Sequence, residues 1–126
     1  MMEDLVIVVE NKDIKIFVYG TLKRNKQFGY IMKKAKFIGK AETIEKYALY
    51  FDHIPYMVKN EKISNVKGEV YEVTSDLLKL IDDFEEHPVY YKREEIRVKL
   101  ENGDIISVWA YLFPEKRGNL IEIGEF

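Results

Sequence analysis

Gly68–Leu100, GEVYEVTSDLLKLIDDFEEHPVYYKREEIRVKL, reads as a strand, a helix, an acidic corner and a second strand. Thr74 or Ser75 can cap the helix, and Asp76 puts an acid in its first turn, where the helix dipole favours it. His87-Pro88 supplies the stop, because the residue before a proline disfavours helical geometry. About three turns fit between these signals.

At about 100° per residue, Leu77, Leu78, Leu80, Ile81 and Phe84 fall on one arc. Lys79, Asp82, Asp83 and Glu86 fall on the other side. Glu85 departs from its acidic neighbours and projects between Ile81 and Leu78, inside the apolar arc. Of the acids in Asp82-Asp83-Phe84-Glu85-Glu86 it alone is expected to point toward the core. A carboxylate held there is partly desolvated, its pKa should rise, and it becomes a candidate proton acceptor near neutrality. A helix that ended by Phe84 would instead leave Glu85 as one more solvated charge.

The flanking chain supplies strands. Ile14–Tyr19 is β-branched and aromatic throughout and runs into Gly20-Thr21-Leu22. Glycine at a strand end lets the backbone turn sharply and lets a ligand approach the main chain, whose N–H groups can cradle an anion or a carbonyl oxygen. A plain exit into a loop is the alternative reading of Tyr19-Gly20-Thr21-Leu22. Lys23–Lys26 is a basic loop, read as a solvated face, and Phe28–Lys34 fits a short helix. Ala35–Thr43, Tyr47–Phe51 and Ile54–Val58 follow as strands, with Pro55 placing the last at an edge or bulge. His53 lies in the turn between the last two. Val66, Gly68 and Val70 alternate with Lys67 and Glu69. Ile96, Val98 and Leu100 share one face of a strand over 90–101, and Asn102-Gly103 signals a hairpin returning through Ile105–Phe113. Pro114 ends that strand, and Ile121 and Ile123 in the tail can pack.

These strands, with one firm helix and one short one, predict an α+β domain: a small, mostly antiparallel β-barrel flanked by short helices. The 126 residues fit a single domain, with 1–13 an N-terminal extension and 114–126 a short tail. Hydrophobic residues make up 47% and charged residues 33%, an ordinary globular balance. At a net charge of −2, no strong global field favours nucleic acid or an anionic membrane. The chain has no cysteine, which excludes disulfides, thiolate metal sites and a cysteine nucleophile. Its two histidines, His53 and His87, lack the spacing of a metal site, so no metal is expected. Leu5–Val9 is too short to span a membrane and lacks the features of a signal peptide; it is expected to form an edge strand or a contact with another subunit, as in a homodimer. The expected location is cytoplasmic.

Three segments together resemble the γ-glutamylcyclotransferase-like (AIG2-like) superfamily: Phe17-Val18-Tyr19-Gly20-Thr21-Leu22-Lys23, then Gly68-Glu69-Val70-Tyr71, then Leu80-Ile81-Asp82-Asp83-Phe84-Glu85 followed by Tyr91-Lys92-Arg93. The similarity spans about Ile14 to Phe113 and looks closest to the γ-glutamylamine cyclotransferase branch. It implies that family's fold, a closed barrel with flanking helices. Tyr19, Gly20, Thr21 and Leu22 inherit a place in the γ-glutamyl pocket, and Glu85, not Glu86, inherits the role of acid/base. The implied reaction releases 5-oxoproline and a free amine or amino acid from a γ-glutamyl substrate, without a cofactor. Tyr91 is an expected pocket wall or hydrogen-bond donor, and Arg93 an expected partner of substrate or of a strand neighbour such as Glu95. Asn25 stands where many relatives carry glycine. A non-catalytic module that keeps the pocket and binds a small carboxylated ligand or a protein is the alternative reading.

Overall fold

The computed structural model describes residues 14–24, 26–85, 91–116 and 118–126. The expected strand at Leu5–Val9, the turn at Asn25 and the helix stop at His87-Pro88 lie outside these residues.

The described elements run β1 (Ile14–Val18), a 3₁₀ helix (Gly29–Lys34), β2 (Lys36–Thr43), β3 (Ala48–Asp52), β4 (Ile54–Val58), β5 (Lys67–Val73), α1 (Ser75–Phe84), β6 (Lys92–Leu100), β7 (Ile105–Leu112) and β8 (Asn119–Leu120). Five strands close into a barrel in the order β1-β5-β2-β6-β7. Its ladders are antiparallel except at the closure, where Ile16 of β1 pairs with Trp109 of β7 in parallel. A second sheet, β4-β3-β8, joins the barrel through Phe113, whose N–H donates to the Met57 carbonyl at 2.9 Å. β4 is an edge strand, the place where Pro55 removes no ladder bond. No helix among the described residues is long and apolar enough to cross a membrane.

The alternation read from the sequence sets the barrel's two faces. Phe17, Ala41, Val70, Ile96, Val98, Leu100, Val108, Ala110 and Leu112 point inward and form one core. Ile16, Val18, Tyr71, Val73 and Tyr111 point outward into a second core beneath α1 and the 3₁₀ helix. Gly68 permits the close approach of β5 to β1: a Cβ there would lie 2.3 Å from the Val18 carbonyl oxygen. Between β6 and β7, Gly103 takes a positive φ of 98° to turn the chain.

Thr74 caps α1, its hydroxyl accepting from the Leu77 N–H at 3.2 Å. The helix seats Ile81 fully, with Leu77, Leu78 and Phe84 half-buried around it. Two expectations for this helix are corrected. Leu80 is 56% exposed rather than packed, and Asp82 is half-buried rather than solvated. Each lies about 100° from Ile81, on opposite flanks of the buried stripe. The flank of Asp82 faces Arg93 and Tyr111, which receive its charge; the flank of Leu80 faces water. Ile123 is also exposed, at 72%, while Ile121 packs beside β8, a short strand the sequence reading did not separate from the tail.

Candidate active site

The chain leaving β1 opens onto a cavity of about 480 Å³. One wall is the segment Tyr19–Leu22; another is the end of α1, with Phe84 and Glu85; Pro55 and Tyr56 of β4, with Tyr91, Tyr111 and Phe113, complete it.

α1 does end at Phe84, yet Glu85 keeps near-helical dihedrals (φ −85°, ψ −2°) and its N–H still donates to the Ile81 carbonyl at 2.8 Å. The angular argument from the sequence therefore carries one residue past the last full turn. Glu85 lines the cavity, half-buried. Burial alone pushes its carboxyl from 4.5 up to about 8, with no hydrogen bond or ion pair from a described residue opposing the shift. Phe28 meets Phe84 edge-on at 5.1 Å and ties the loop after β1 to this helix end.

Across the cavity, the loop turns on its own carbonyls. The Lys23 N–H donates to the Gly20 carbonyl at 3.0 Å, and the Phe28 N–H to the Thr21 carbonyl at 2.8 Å. Among the described residues no carbonyl takes the N–H groups of Gly20, Thr21 or Leu22. Gly20 lies against Pro55: a Cβ would come within 2.7 Å of the Pro55 ring. The arrangement can hold an anion or an oxyanion on one side and move a proton on the other.

The predicted residues are thus brought together with one exception. Tyr19, Gly20, Thr21, Leu22, Tyr91 and Glu85 line one cavity. The Tyr19 hydroxyl is committed to the scaffold, donating to the Tyr111 carbonyl at 2.8 Å and accepting from the Met57 N–H at 3.2 Å, and burial pushes its pKa well up. It contributes a wall, not a hydroxyl. The Tyr91 ring stacks on Tyr56 at 5.8 Å. Arg93 is not among the described residues that line the cavity. Its guanidinium makes two bonds to Asp82, at 2.9 and 3.0 Å, and lies over the Trp109 ring, so its partner is neither a cavity ligand nor Glu95. The bidentate pair holds Arg93 protonated well into alkali.

Tyr111 escaped the sequence reading. It lines the cavity and donates its hydroxyl to Asp82 at 2.5 Å, and burial together with this bond raises its pKa strongly. The hairpin signal at Asn102-Gly103 carries the missing register, which sets Arg93 opposite Tyr111.

The family model described as "Gamma-glutamyl cyclotransferase, AIG2-like" matches residues 16–126. A Methanocaldococcus jannaschii protein named "Putative gamma-glutamylcyclotransferase" is 47% identical over 116 residues, covering 88% of this chain and 93% of its own. A Mus musculus protein named gamma-glutamylaminecyclotransferase is 33% identical over 112 residues, covering 76% of this chain and 75% of its own. A crystal structure of a mouse AIG2-like protein superposes with a TM-score of 0.82 at 30% identity, covering 90% of this chain and 87% of that one.

Proposed function

Because the chain belongs to the gamma-glutamyl cyclotransferase, AIG2-like family, we propose that it converts a γ-glutamyl compound to 5-oxoproline and a free amine, with Glu85 as the acid/base. The observation that carries this reading is a carboxyl of pKa about 8 on the cavity wall, facing a loop whose N–H groups have no carbonyl partner among the described residues.

The substrate's α-ammonium sits beside its own free α-carboxylate and so titrates above a peptide N-terminus; raising the Glu85 carboxyl to about 8 narrows the gap between the two groups and makes proton transfer between them feasible. The Glu85 carboxylate takes a proton from the ammonium. The freed amine attacks the substrate's own γ-carbonyl carbon, forming the ring C–N bond and an oxyanion. The N–H groups of Gly20–Leu22 face this charge or hold the α-carboxylate. Collapse of the oxyanion breaks the original amide C–N bond as Glu85 returns its proton to the departing nitrogen; the carboxylate then takes the second proton from the cationic ring nitrogen and passes it to the released amine, which leaves as an ammonium. The attack is intramolecular, so the protein supplies geometry rather than a nucleophile. The aromatic walls of Tyr56, Tyr91 and Phe113 pack about the bound chain and limit its conformations. The mouse relative's name supports an amine as the leaving group.

The test is Glu85→Gln against a panel of γ-glutamyl amines and amino acids, with 5-oxoproline as the readout. Turnover should fall by ~10²-fold or more, with the fold retained. Undiminished turnover would remove Glu85 from the mechanism, and ligand binding without release across the panel would favour a non-catalytic module.

A further inference from the structure

Gly68-Glu69-Val70-Tyr71 shares in the family resemblance, yet the proposed chemistry assigns Glu69 nothing. It is 5% exposed, a carboxylate buried on the outer face of the barrel. Such a group is costly to bury unless donors surround it. Here they do. Its Oε1 accepts from the Arg24 main-chain N–H at 2.9 Å and from the Tyr71 hydroxyl at 3.1 Å, and its Oε2 lies 3.6 Å from the Arg24 Nε.

The decisive partner is the main-chain N–H. Arg24 follows Gly20–Leu22 within the same loop, one residue beyond Lys23, whose own N–H closes the turn onto Gly20. The Lys23 side chain is buried as well, its Nζ donating to a main-chain oxygen of Phe126 at 2.9 Å. The loop is therefore gripped on two sides just after the residues that line the cavity. The Arg24 guanidinium is spread over the Phe37 ring at 3.9 Å, and the Arg24 side chain is half exposed, a weaker hold than the part-buried N–H bond.

We propose that Glu69 is a positioning residue for the anion-holding loop: by fixing the main chain at Arg24 it presents the N–H groups of Gly20–Leu22 to the substrate's α-carboxylate. The proposal rests on the cyclotransferase reading for the identity of the anion, and on geometry alone for the anchoring. Glu69 is not among the described residues that line the cavity, so it acts through the loop and leaves Glu85 undisturbed.

Three variants separate the anchor from its alternatives. Glu69→Ala should raise KM about 10-fold while the pH profile of kcat keeps its position, because bound anion is lost and the acid/base is not. Glu69→Gln keeps an oxygen for the Arg24 N–H and should recover KM to within about 3-fold of wild type. Arg24→Leu removes the ion pair but retains the N–H and should also stay within about 3-fold. A KM unchanged in Glu69→Ala, or one raised as much in Arg24→Leu as in Glu69→Ala, overturns the proposal. Hydrogen exchange at the Lys23, Arg24 and Phe28 amides is read alongside, and should accelerate about 10-fold or more in Glu69→Ala only. If the wild-type protein releases no 5-oxoproline from any compound, the cyclotransferase reading fails on its own. The exchange rates then still judge Glu69: equal rates in wild type and Glu69→Ala would sink the anchor.

Discussion

Glu85→Gln should stabilise the protein in alkali. Burial raises this carboxyl from 4.5 to about 8 in the folded chain. Below about pH 4.5 it is protonated in both folded and unfolded chains and costs the fold no ionisation. Between about pH 4.5 and 8 the unfolded chain releases the proton while the folded chain retains it, so stability falls; above about 8 the loss is complete. With those two values, linkage gives a loss of about 3 kcal/mol between about pH 5.5 and pH 8.5. Water entering the cavity screens the group, so that figure is a ceiling and about 1.5 kcal/mol is a reasonable floor. Glutamine has nearly the same shape and does not titrate. Urea unfolding of both proteins at the two pH values yields four free energies, and their double difference cancels every other group common to the two chains. The variant should gain about 1.5–3 kcal/mol on wild type as pH rises. Parallel pH dependence in the two proteins would refute the claim that this carboxyl is desolvated in the fold, and with it the basis for its role near neutrality.

The same value shapes turnover. With Glu85 needed as carboxylate and the substrate amine as ammonium, kcat/KM should rise through about pH 8 and fall again at higher pH as the ammonium is lost, and an acid limb centred near the ordinary carboxylate range would contradict the assignment. Tyr19→Phe removes the buried hydroxyl that bonds both the Tyr111 carbonyl and the Met57 N–H; denaturant titration should register a loss of about 1–3 kcal/mol, while the pH of maximal turnover stays in place. Arg93→Leu leaves Asp82 without its bidentate partner. It should cost about 1–3 kcal/mol by the same titration and leave substrate KM within about 3-fold, whereas a large rise in KM would restore Arg93 to the substrate site.

Much of this site was legible because its parts are local. The alternation of Ile96, Val98 and Leu100 places β6, and the rotation per residue aims Glu85 without reference to the rest of the chain. The sequence reading failed at the flanks of α1. Leu80 and Asp82 stand at equal angles from Ile81, and only the neighbouring barrel wall, built from residues distant in sequence, decides which flank is wet. The Tyr19 hydroxyl posed the same difficulty: its partners, Tyr111 and Met57, belong to strands whose proximity follows from barrel closure. β8 is two residues long, too short for any periodicity, and exists because it pairs with Tyr50 and Phe51.

The parallel seam between β1 and β7 has a kinetic meaning. β1 is synthesised before any other described strand, yet both strands that flank it come much later, and its link to β7 is a single registered pair. Contacts between such distant parts of a chain are slow to form, because a long loop must be ordered before they contribute. The strand that delivers Tyr19–Leu22 therefore waits, without one of its neighbours, until the rest of the barrel has emerged. Binding competence should appear late in refolding, after most of the secondary structure, and the seam should be among the first places to open when the folded protein breathes.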